Sequence, residues 1–264
     1  MPIHFEPAAG HPGIAFVTIA HAGKLGAMNR AMWRELRRGF DALAHDATLR
    51  CVVVRGEGGA FCAGGDISEY PGFRFDAATL REFHEDDVWG GLQAMLACAL
   101  PLVAQIDGAC MGAGLEIAAC CDIRIASDSA RFGAPIARLG FPMAPRELQL
   151  VVREAGRAVA RSMLLEAAVF GAAELRDRGF LTRVVPAADT AAEALAAARR
   201  IAALAPEAAR LNKRMLRSLD DAAADASDGF ALPAADGAYA YADSAEHREG
   251  ISAFLQKRSP AFQA

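Results

Sequence analysis

The chain has 264 residues, enough to bury one large core, or a core with an appendage, without disulfides. Hydrophobic residues make up 53%, much of it alanine, and 28 basic against 32 acidic residues leave a net charge of −4. That balance gives no whole-molecule attraction for nucleic acid, and the most apolar stretch, 95–121, is interrupted by Pro101, Gln105, Asp107 and Glu116 and is no membrane span.

Residues 13–20 read as a strand. Met28, Met32, Leu36, Phe40 and Leu43 recur at helical spacing, so an amphipathic helix is expected over 28–45. A second strand, 51–54, runs into a glycine turn, Ala60-Phe-Cys-Ala-Gly-Gly-Asp. Residues 76–98 look helical throughout. Strand, glycine turn and helix then repeat: an apolar run at 101–106, the stretch Gly108-Ala-Cys-Met-Gly-Ala-Gly, and a helix from about Gly114. A short strand follows at 123–126, then helices at 145–155 and 157–166, and a last strand at 181–185 stopped by Pro186. Helices are expected at 189–204, 206–220 and 237–257. Alternating strands and helices followed by helices alone indicate an α/β core over 1–200 and a helical region over 201–264. The expected mobile loops are 72–76 and 225–236.

The six cysteines form no C-x-x-C pair and lie mostly in apolar runs, so they read as reduced, buried thiols. Cys62, beside the first glycine turn, is the one with a possible chemical role to set against packing. No charged-then-apolar leader opens the chain, which points to the cytoplasm.

Chemistry concentrates at the second glycine turn. A backbone that turns on glycine into a helix start presents free N–H groups, which favour negative charge. Glu116 lies in the first turn of that helix among small apolar residues. A carboxylate in such company, beside an anion-stabilising turn, suits proton transfer. The competing reading is a structural carboxylate that caps nearby N–H groups. The Rossmann fingerprint fails because Gly112-x-Gly114 continues to Ile117, and no Walker loop, G-x-S-x-G or H-E-x-x-H occurs.

Five blocks in order carry a family resemblance: Ala60-Phe-Cys-Ala-Gly-Gly-Asp-Ile, Ile106-Asp-Gly-Ala-Cys-Met-Gly-Ala-Gly-Leu-Glu-Ile-Ala, Cys121-Asp-Ile-Arg-Ile-Ala, Arg131-Phe-Gly-Ala-Pro and Arg248-Glu-Gly-Ile-Ser-Ala-Phe-Leu-Gln-Lys-Arg. With these the chain resembles the enoyl-CoA hydratase/isomerase (crotonase) superfamily from about residue 13 to 258. The resemblance implies a spiral of ββα units with a helical C-terminal trimerisation region, hence a homotrimer or dimer of trimers. It implies an acyl-CoA substrate carried through an enolate, as in fatty-acid or related acyl-CoA metabolism. Coenzyme A is then part of the substrate, with no separate cofactor and no metal. Two backbone N–H groups that bind the thioester oxygen fall by position at Ala63 and Ala113. Family hydratases hold water between two glutamates, one helping to deliver hydroxyl to C3 and the other helping to protonate C2. Glu116 matches the first, and the position of the second is Ile136, which can neither hold the water nor move a proton.

That departure leaves hydration with a relocated partner, isomerisation by Glu116 alone, thioester hydrolysis, or a non-catalytic acyl-CoA binder. Glu147 and His84 are the candidate partners; otherwise they read as a solvated helix glutamate and a packing histidine. For CoA recognition the resemblance suggests Lys24, Ala63, Gly64, Asp66, Ile67 and Lys257, with Phe254 either stacking on adenine or packing. Gly26 stands where the family commonly has asparagine.

Overall fold

The computed structural model describes residues 2–225 and 240–262. A six-stranded sheet forms its centre, in the order β1 (Ile3–Pro7), β2 (Ile14–Ile19), β3 (Cys51–Gly56), β4 (Leu102–Ile106), β6 (Ile123–Ser127) and β9 (Arg183–Val185). Only the β1–β2 pair is antiparallel. A smaller sheet joins β5 (Ala109–Met111), β7 (Arg131–Gly133) and β8 (Val169–Gly171).

Both faces of the large sheet are covered, which is why its central strands are continuously apolar. Alternate side chains go to opposite faces. Val52 and Val54 join the main core with Trp33, Leu36 and Phe40 of α1 (Arg30–Leu43). Cys51 and Val53 join a second cluster with Ala194, Ala197 and Ala198 of α8 (Thr190–Ala202). The strand β1 was not expected from the sequence. Only Ile3 of its five residues is buried, so the pattern is weak; pairing with β2 supplies its order.

The chain repeats a strand in the large sheet, a strand in the small sheet and a helix. Thus β4 and β5 lead to α4 (Ala113–Ala119), and β6 and β7 lead to α5 (Pro145–Ala155). The strands β5, β7 and β8 and the short helix α7 (Ala172–Asp177) escaped the sequence reading, each being too short for a period to show. The helix α6 (Arg157–Leu165) matches its expected span within one residue.

The expected helix over 76–98 is three pieces: α2 (Ala77–Glu82), a π-helical turn (Phe83–Val88) and α3 (Trp89–Ala97). Buried Asp87 in that turn accepts from Arg30 Nε and from Arg34 Nε, each at 2.6 Å. The turn is thereby bound to α1. Residues 72–76 are held too: Phe73 is buried, its carbonyl accepts from Thr79 Oγ1 at 2.7 Å, and Asp76 caps α2.

Beyond α8, helix α9 (Pro206–Asp225) docks on the core, with Lys213 Nζ 2.7 Å from Asp122 Oδ2. The last helix, α10, runs Ala245–Leu255, shorter than the expected 237–257. Most of the expected loop at 225–236 lies outside the described residues. Among the described residues no helix is long and apolar enough to cross a membrane.

Candidate active site

Strands β3 and β4 are parallel neighbours, so the glycine turns that follow them emerge at the same end of the sheet. Backbone bonds join them: Phe61 N–H donates to the Ala109 carbonyl at 3.0 Å, and Cys62 N–H donates to the same carbonyl and Met111 N–H to the Cys62 carbonyl, each at 2.9 Å. Gly112 has φ +46°, a left-handed conformation that suits glycine, and directs the chain into α4. A Cβ at Gly114 would stand 2.5 Å from the Cys62 carbonyl oxygen, so the two turns close only with glycine there. Burial pushes the Cys62 thiol up to about 12, which leaves it a packing residue.

The helix start lies at Ala113. It is the first residue of α4, and its N–H has no hydrogen-bond partner among the described residues. The position expected for the second donor is different. The Ala63 N–H is occupied, donating to the Leu25 carbonyl at 3.0 Å. Residues 64–66 then bridge to Met28: Met28 N–H donates to the Gly64 carbonyl and Asp66 N–H to the Met28 carbonyl, each at 2.8 Å. A parallel bridge of this kind uses the groups on either side of Gly65 and leaves its own N–H without a partner among the described residues. Gly65 and Ala113, not Ala63 and Ala113, carry the free donors, and both line one cavity of about 470 Å³.

Glu116, Ile136, Glu147 and His84 line the same cavity. Glu116 is only 7% exposed, and its carboxyl makes no hydrogen bond among the described residues. Burial raises its pKa well above the ordinary carboxylate value, and the neighbouring Glu147 raises it further. Glu147, in the first turn of α5, is 3% exposed and accepts from His84 Nδ1 at 2.9 Å. It is therefore not a solvated helix glutamate. His84 comes from the π-helical turn, an irregularity often found at functional sites. Ile136 stands half-buried in the wall, and the second carboxylate enters from α5 instead.

A second groove, about 720 Å³, shares Gly65, Gly112 and Ile136 with this cavity and continues past Ala63, Gly64 and Ile67. Lys24 and Asp66 meet beside it: Lys24 Nζ donates to Asp66 Oδ2 at 2.6 Å and to Ser68 Oγ at 2.8 Å. Burial opposes ionisation of Asp66, but these bonds prevail and its pKa is lowered. Lys257 lies exposed after α10 and lines neither space, and Phe254 is exposed rather than packed within the chain.

One cavity is therefore lined by two residues whose N–H groups have no partner among the described residues and by two buried carboxyls of unequal environment. The enoyl-CoA hydratase/isomerase family model matches residues 10–264. The 2,3-dehydroadipyl-CoA hydratase of Escherichia coli is 32% identical over 255 residues, covering 95% of each chain. A crystal structure of an enoyl-CoA hydratase/carnithine racemase from Magnetospirillum magneticum is 35% identical, covers 100% of this chain and 96% of its own, and superposes with a TM-score of 0.92. The enoyl-CoA hydratase structure from Bacillus anthracis shares the fold at a TM-score of 0.89 and 24% identity, covering 99% of each chain. With the family's crotonase fold spanning nearly all of its length, this chain belongs to the enoyl-CoA hydratase/isomerase family.

Proposed function

We propose that the protein adds water across the 2,3 double bond of an enoyl-CoA thioester. The observation that carries this reading is Glu147: a second buried carboxylate shares the cavity of Glu116, although the expected position holds Ile136. In the reading, the Gly65 and Ala113 N–H groups receive the thioester oxygen and the charge that develops on it, a contribution of about 3–4 kcal/mol per donor. A second carboxyl nearby disfavours charge on Glu116, because like charges in a buried site repel. Burial, and then the neighbouring Glu147, raise the pKa of Glu116, which suits it to carry the proton, while Glu147 accepts from His84. Glu147 takes a proton from water as its oxygen bonds to C3, and Glu116 protonates C2 as the enolate collapses. This exchanges the role that the family resemblance gives Glu116.

Turnover of enoyl-CoA esters with products resolved by mass tests the reaction. Hydration adds one water, isomerisation adds none, and hydrolysis releases free CoA; either of the last two as the main product overturns the reading. Glu116→Gln and Glu147→Gln should each lower kcat/KM by about 10²–10⁴-fold. They should part on a saturated acyl-CoA in D₂O. There Glu147→Gln retains exchange of the α-proton and Glu116→Gln loses it.

The same reading assigns the protein to acyl-CoA metabolism in the cytoplasm, supported by six buried free thiols that suit a reducing compartment. It also assigns a trimer or dimer of trimers, supported by exposed Leu216 on α9 and Ile251, Phe254 and Leu255 on α10.

A further inference from the structure

The cavity of Glu116 and Glu147 also holds a cation that hydration does not use. Arg74 is the one lining residue of fixed positive charge. It follows the 3₁₀ segment Ile67–Gly72, and its N–H donates to the Tyr70 carbonyl at 2.9 Å. Its guanidinium carbon lies 3.8 Å from the ring centroid of Phe141 and 4.5 Å from that of Tyr70. Phe141 and Tyr70 also touch each other edge to face, which fixes the two rings.

Elsewhere in the chain half-buried and buried arginines meet carboxylates or carbonyls, as Arg50 meets the Ala202 and Phe262 carbonyls. Arg30 and Arg34 meet Asp87, and Arg124 meets Glu154. The Arg74 guanidinium makes no hydrogen bond or ion pair among the described residues. Burial lowers its pKa, and Tyr70 and then Glu147, which is bonded to His84 and beyond ion-pair distance, offset only part of that. Stacking leaves the N–H donors at the edge of the guanidinium free, in the planar fork that matches a carboxylate. Withdrawing such a cation from water without a partner costs free energy that an anionic ligand would recover.

Its position says which part of a ligand it meets. The two spaces share Gly65, Tyr70, Gly112, Ile136 and Phe141, and Arg74, stacked on two of these shared residues, itself lines only the space that holds Glu116 and Glu147. Under the hydratase reading, on which this step rests, the thioester sits at that junction and Arg74 lies on the acyl side. We propose that Arg74 binds a carboxylate at the far end of the acyl chain, so that the preferred substrates are CoA monothioesters of unsaturated dicarboxylic acids.

The test compares trans-5-carboxy-2-pentenoyl-CoA with trans-2-hexenoyl-CoA, esters of equal chain length that differ at the far end. Wild type should favour the carboxylated ester by about tenfold or more in kcat/KM. Arg74→Met should reverse or abolish that preference, lowering the ratio by about thirtyfold or more, chiefly through KM on the carboxylated ester. Arg74→Lys should recover part of the ratio, as a cation without the planar fork. Equal losses on both esters overturn the proposal, since Arg74 would then serve Glu147 or a group common to all CoA esters. Turnover of the hexenoyl ester with none of the carboxylated one also overturns it and leaves the hydratase reading standing. If wild type hydrates neither, the hydratase reading fails, and calorimetric binding of adipyl-CoA against hexanoyl-CoA decides Arg74 alone. A wild-type preference for adipyl-CoA that Arg74→Met removes supports it, and no preference overturns it.

Discussion

At the scale of single residues, the burial of the Glu116 carboxyl costs stability. An ordinary glutamate in the unfolded chain loses its proton near pH ~4.3. In the folded chain burial, and then Glu147, hold the proton to higher pH. The folded state therefore binds more protons between those two pH values, and its stability falls as pH rises from the unfolded value through the folded one. Below that window the effect is absent, and above it the loss is complete. Glu116→Gln carries no such cost, so its melting temperature should exceed that of wild type by a margin that widens from pH 4 upwards and then levels off. Thermal denaturation across pH measures the margin; a constant difference would mean that the carboxyl ionises as freely in the fold as in the unfolded chain. Replacing Glu147 by Gln should remove only part of the shift, because burial is the larger cause.

At the scale of elements, the π-helical turn Phe83–Val88 decides where His84 points. Continuous α-helical hydrogen bonding through residues 83–88 would change the rotation of His84 about the axis. The turn is fixed by Asp87, which is 3% exposed and receives two arginine side chains from α1. Asp87→Ala removes the buried partner of both cations and leaves them only the exposed Glu82. It should destabilise the fold by about 1–3 kcal/mol, read by urea denaturation, and should lower kcat by loosening His84 and Glu147. Normal activity in a destabilised variant would separate the turn from the chemistry.

At the scale of the molecule, large apolar side chains stay outside at several places, Phe75 and Leu165 among them, and α9 and α10 carry a group of them. Phe254 is 82% exposed, Leu255 74% and Leu216 65%. In the proposed trimer these side chains find cover between copies. Light scattering at micromolar concentration should return the mass of a trimer or a dimer of trimers, and Phe254→Asp with Leu255→Asp should shift it towards the monomer. A wild-type monomer would refute the assembly.

Much of this protein was legible in the sequence. Helix α1 showed in its apolar spacing, and β3 and β4 in uninterrupted runs, because buried parallel strands need apolar side chains on both faces. Glu116 showed as a carboxylate at a glycine-opened helix start. These are local signals, written within a dozen residues. The short strands of the small sheet were not legible, nor was the second free N–H. Whether residue 63 or 65 keeps its donor depends on a carbonyl at Leu25 and a bridge to Met28, both distant in sequence. Glu147 was visible as a candidate, but its burial beside Glu116 and its bond to His84 join three separate elements. The chain alone determined the strand-turn-helix units and the residue types that can move a proton. Only the tertiary structure decided which donors stay free and which carboxyls meet, because hydrogen bonds and burial are assigned by neighbours in space.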